Sequence, residues 1–214
     1  MKYTLALHRD IVAGAVDALG LERIVLVAED WGGPLGMHHL VHEPQLYEAA
    51  ILMETFLRSF TFADDYHPKF RMPFRLMRGP AGFVAVQVFN IMTKKVIPEH
   101  CPITSDGMQY YLNSVPTIRS RRAQLAFVRV NPLHGKPRAS VQFIEEIRDR
   151  LPELKVPVTW LMPSPGVIVS EDYPPSQAQI RAVQGVDARP RSKKLRLRPP
   201  FSIRGEPAAR RRTG

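Results

Sequence analysis

The chain has 214 residues, 44% hydrophobic and 23% charged, which is enough apolar material for one sizeable core. Thirty Lys and Arg against 20 Asp and Glu give a net charge of +10, and the single cysteine, Cys101, excludes an internal disulfide and a cysteine-based zinc site. An acidic disordered chain and a collagen-like fibre are excluded by composition, and no run of 18 apolar residues is present to cross a bilayer.

In chain order, TLALHRDIVAGAVDAL (4–19) carries apolar residues at helical spacing and ends at Gly20. His8, Arg9 and Asp10 lie where a signal peptide would place its apolar run, so the chain reads as cytoplasmic. IVLVA (24–28) is a short, unbroken, β-branched run and predicts a buried parallel strand. Glu29 to Gly33 interrupt it, and Pro34 to Leu40 resume with helical character until His42-Glu43-Pro44. AAILMET (49–55) predicts a second buried strand and VPVTWLM (156–162) a third. Between them, helical patches at 70–77, 82–97, 108–112 and 141–151 alternate with Pro and Gly breaks.

This order predicts an α/β fold with a mostly parallel sheet and a helical insertion. The expected division is a core of 1–58 and 151–186, a helical cap of 59–150 and a basic tail of 187–214. The tail holds ten Lys or Arg against Asp187 and Glu206, so +8 of the net +10 lies there and +2 in the remaining 186 residues. It has no periodicity and reads as disordered; phosphate neutralisation on a nucleic acid is the alternative.

VLVAEDWGGPLG holds the most informative residues. A nucleophile elbow turns sharply from strand to helix and needs small residues around the nucleophile. Ala28 lies two before Asp30, and Gly32 and Gly33 lie two and three after it. A carboxylate at the elbow can displace a leaving group from carbon and form a covalent ester. The helix start behind it offers backbone N–H groups to an oxyanion, that of Trp31 first. The Trp31 indole is a donor only, which suits a departing halide. The plainer account of Asp30 is a helix N-cap.

Here the sequence resembles the α/β-hydrolases, and among them the haloalkane dehalogenases. The resemblance spans about Tyr3 to Tyr173 and rests on EDWGGPLG, EPQLYEAAILMETFLRSF, FNIMTKKVIP, VPTIRSRR, NPLHGKP and VPVTWLMPSPGV. It implies Asp30 as nucleophile, Trp31 as halide-binding residue and Glu54, 24 residues on at the end of the next strand, as catalytic acid. It implies a small halogenated hydrocarbon as substrate and needs no cofactor or metal. Phe56, Phe60, Phe62, Phe74, Phe83 and Phe89 are candidates to line a pocket, ordinary core being the simpler account for most. An epoxide hydrolase would instead use cap tyrosines as proton donors; Tyr110 and Tyr111 are available, but an early acid at Glu54 argues against it.

Two family features have no counterpart. The H-G-x-P loop that precedes the elbow helix is missing, and the last histidine is His134, so the late catalytic His is missing too. The expectation is a chain truncated at both ends, with a change of reading frame near Gln184, that forms an alkyl ester without turning it over. His38, His39 and His42 fall two turns or more down the elbow helix, and His134 is the least unsuited substitute. Glu29 beside the nucleophile is expected to perturb it little, because alternate strand residues point oppositely. A free strand edge is expected to favour self-association.

Overall fold

The computed structural model describes residues 3–65 and 68–161. The 187–214 tail and the reading-frame expectation near Gln184 fall outside them.

Helix α1, Leu5–Ala18, is capped by Thr4, whose hydroxyl accepts from the Leu7 N–H at 3.1 Å. Gly20 follows at φ +57, a conformation that glycine adopts without a Cβ clash. Strand β1, Ile24–Asp30, leads into α2, Gly32–His42, and strand β2 follows over Tyr47–Thr55. β3, Val158–Leu161, completes a parallel sheet of order β1-β2-β3. In parallel geometry each strand must be reached by a crossover, and α2 with its flanking turns supplies the first.

Both β1 and β2 run two residues beyond the apolar runs expected for them, at the C-terminal end of β1 and the N-terminal end of β2. β3 begins two residues later than expected, at Val158. β1 is also less buried than its unbroken apolar run implies: Ile24, Leu26 and Ala28 face α2, whereas Val25 and Val27 are 50% and 58% exposed. An unbroken apolar run predicts cover on both faces, and among the described residues only one face is covered.

The elbow helix α2 is the centre of the core. Met37 and Leu40 are fully buried, as are Ala50 and Leu52 of β2. Fully burying one such large aliphatic side chain contributes about 1.5–3 kcal/mol. Gly36 allows the close approach: a Cβ there would lie 2.7 Å from Leu26 Cδ1. α9, Arg138–Arg150, closes the far side of α2 with Phe143, Ile144 and Ile147.

Between β2 and α9 the chain is helical, as expected: α3 (Phe62–Asp65), α4 (Pro68–Arg78), α5 (Pro80–Gly82), α6 (Ile97–His100), α7 (Ser105–Ser114) and α8 (Arg122–Val130). The patch expected over 82–97 is not one α-helix. Phe83–Val88 and Met92–Val96 wind as π turns, broken at buried Asn90 with φ +54. Arg78 and Arg121 tie this region together by donating to backbone carbonyls, Arg78 to Val128 and Asn131, and Arg121 to Gln87 and Val115. Among the described residues no helix is long and apolar enough to cross a membrane.

Candidate functional site

The site lies where β1 and β2 end. Pairing runs in step from Val25↔Ala49 to Glu29↔Met53 and then slips, so that Asp30 pairs with Thr55 and Glu54 is left over. This bulge re-aims the strand ends. Asp30 and Glu54 both sit in the left-handed region, at φ +46 and +44. For a non-glycine residue that costs about 1–2 kcal/mol and persists only where the surroundings enforce it.

The enforcement is visible. Thr55, fully buried, donates its hydroxyl to the Asp30 carbonyl at 2.5 Å. On the other side the first turn of α2 presses close. A Cβ at Gly33 would overlap the Thr55 hydroxyl and lie 2.7 Å from its Cβ and 2.8 Å from its Cγ2. Glycine at position 33 is therefore required by space. α2 begins at Gly32 with Trp31 in the capping position and no side-chain cap bond, so Asp30 is not the helix N-cap.

Asp30 has its pKa raised to about 6. Burial is the largest cause, followed by the charges of Glu29 and Glu54, while the Trp31 backbone N–H works in the opposite direction by hydrogen bonding. Asp30 is nonetheless an exposed residue by surface area, so the desolvation reflects protein atoms near the carboxyl and not enclosure of the residue. Of the two neighbouring acids, Glu29 contributes before Glu54. Strict strand alternation fails here because the register slips between Glu29 and Asp30 and because Asp30 leaves the extended conformation.

Trp31 is half-buried and its ring is wedged between two phenylalanines. Phe56 meets it edge-on at 5.0 Å, and Phe127 of α8 lies at 5.6 Å. Phe56 in turn contacts Phe60 at 4.6 Å. Of the six pocket candidates, Phe56, Phe60 and Phe62 belong to the buried core, Phe74 is packed against it, and Phe83 and Phe89 are 45% and 63% exposed.

The histidines with described side chains are occupied elsewhere. Buried His38 stacks between His42 at 4.3 Å and Phe143 at 4.5 Å, with Nε2 3.2 Å from Glu146; burial lowers its pKa, and the Glu146 bond opposes this. His39 Nδ1 lies 2.7 Å from the Tyr47 hydroxyl. His134 accepts from the Phe62 N–H at 3.3 Å, which places its ring proton on Nδ1, and it organises the loop beside Phe60. Tyr110 and Tyr111 of α7 are 79% and 50% exposed. Among the described residues no group of His, Cys, Asp and Glu could hold a metal ion.

The structure thus brings Asp30, Trp31 and Glu54 together at adjacent strand ends. Thr55 is a member of the site that sequence reasoning missed. Its signal is indirect, a hydroxyl directly after an acid at a strand end, facing a glycine that must be small.

A parallel sheet with an acid-bearing elbow at the end of β1, backed by α2 and interrupted by a helical insertion before β3, is a partial α/β-hydrolase fold. Within that class the chain is similar to haloalkane dehalogenases in sequence and in structure. It is 34% identical over 127 residues to the haloalkane dehalogenase of Mesorhizobium japonicum, covering 57% of this chain and 41% of that protein. It is 28% identical over 174 residues to that of Agrobacterium fabrum, covering 80% and 57%. The chain thus spans about half the length of these curated relatives. The solved haloalkane dehalogenase DatA from Agrobacterium tumefaciens C58 superposes with a TM-score of 0.77 at 27% identity, covering 87% of this chain and 62% of that one. A putative ancestral haloalkane dehalogenase gives 0.79 at 26%, covering 92% and 67%. No family model matches the chain.

Proposed function

We propose that Asp30 is the nucleophile of a dehalogenase-type displacement on a small halogenated hydrocarbon. The observation that carries this reading is the left-handed conformation of Asp30 at a strand-to-helix elbow, a strain that a mere surface carboxylate would not need. An Asp30 oxygen attacks the halogen-bearing carbon, the new C–O bond forms as the carbon–halogen bond breaks, and the halide leaves with the bonding pair. No proton moves in this step. The Trp31 indole, fixed by Phe56 and Phe127, serves the departing halide as donor. The Trp31 backbone N–H serves the ester oxygen. Glu54 is the acid of the site, positioned to orient a base or to tune the charge on Asp30.

Hydrolysis of the ester needs an activated water. The five histidines with described side chains are each engaged with another partner, so within the described residues the reading is a single displacement that stops at the alkyl-enzyme. Incubation with a 1-bromoalkane should add one alkyl group by intact mass, map to Asp30 by peptide analysis and release one halide per chain. Asp30→Ala should give neither. Alkylation at another residue, or none, overturns the reading. Self-association through β1 is the second element of the proposal, supported by its exposed valines.

A further inference from the structure

We propose that Thr55 is a positioning residue: by holding the Asp30 carbonyl, its hydroxyl sets the plane of the Asp30–Trp31 peptide and so aims the Trp31 N–H at the Asp30 carboxylate. The inference rests on the nucleophile reading only for its catalytic meaning; the geometry stands without it.

A trans peptide is planar, with its C=O and N–H pointing in opposite directions. Fixing the oxygen of that unit therefore fixes its hydrogen. Thr55 grips the oxygen at 2.5 Å, and the Thr55 side chain that does so is itself fully buried. The hydrogen on the opposite edge belongs to Trp31, the one neighbour that favours the ionised Asp30 carboxylate against burial and two neighbouring acids. It is also the donor that an ester oxygen on Asp30 would meet.

Thr55 arrives at this place because of the bulge. Without the slip after Glu29↔Met53, Glu54 would pair with Asp30 and no hydroxyl would reach the carbonyl. Once there, the side chain cannot turn away. Threonine is stiff about χ1, and Gly33 at the head of α2 closes the space on its other side. Valine has the shape without the donor. Serine has the donor without the methyl group that locks it.

The test uses the full chain with aspartate carboxyl carbons and backbone amides followed by NMR across pH. In the parent the Trp31 amide shift should titrate together with the Asp30 carboxyl near pH 6. In Thr55→Val the Trp31 amide should lose that inflection and the Asp30 pKa should rise by about one unit, a tenfold weaker hold on the carboxylate. Thr55→Ser should restore most of both. A Thr55→Val variant that titrates like the parent means that Thr55 only fills space, and the proposal fails. If Thr55→Val does not fold, the parent decides: a Trp31 amide that ignores Asp30 ionisation overturns the proposal equally. These readouts need no substrate, so absence of alkylation in the parent would sink the displacement reading without touching this one.

Discussion

The raised pKa of Asp30 makes opposite demands on reactivity and stability. The displacement needs the carboxylate, so ester formation should be half-maximal near pH 6 and level off above about pH 7. For stability the sign follows from proton binding. The unfolded chain titrates Asp30 at the ordinary 3.8, the folded chain at about 6, so between these values the folded state holds more protons. The contribution of Asp30 therefore falls as pH rises through that window, and above it the residue is a standing cost. Asp30→Asn should melt at a higher temperature than the parent at pH 7.5, with the gap closing toward pH 4; a gap independent of pH would refute the account. Asp30, Trp31 and Glu54 were legible in the sequence because residue type and spacing alone define them. The influence of Glu29 and the role of Thr55 were not, because both follow from a one-residue slip in pairing and a left-handed φ that no local pattern encodes.

At the scale of the elements, α2 is held by two close approaches of unequal stiffness. At Gly36 an added Cβ meets the far end of Leu26, a side chain that can rotate aside. At Gly33 it meets the hydroxyl and Cβ of Thr55, which are tied to the strand backbone. Overpacking typically costs about 1–3 kcal/mol. Gly33→Ala should fall at the upper end and Gly36→Ala at the lower, with melting temperatures lowered in that order; a larger loss at Gly36 would show that the elbow yields more readily than the helix–sheet contact. The strands and α2 were readable because unbroken β-branched runs and a Gly-rich turn mark them. The π turns at Phe83–Val88 and Met92–Val96 were not. Their residues carry ordinary helical spacing, and the break at Asn90 is a tertiary decision made inside the core.

At the scale of the whole molecule, the order of strands and helical insertion was legible, while the extent of their cover was not, since an apolar run records what a strand tolerates rather than what lies on it. The consequence falls on β1. Among the described residues β1 is hydrogen-bonded to β2 alone, and Val25 and Val27 stand outward from it. A row of unpaired backbone groups beside exposed valines is a template for a second chain. Association that covers the exposed part of Val27 is worth roughly 1–2 kcal/mol, or about a tenfold change in affinity for each 1.4 kcal/mol. Val27→Lys places a charge on that face while removing no internal contact of consequence, because Val27 is already 58% exposed. Sedimentation velocity over a concentration series should show the parent shifting to larger species and Val27→Lys remaining smaller at concentrations about tenfold higher, with an unchanged melt. If Val27→Lys associates as the parent does, contact runs through another surface, and the β1 edge is covered in the protein as it exists in solution.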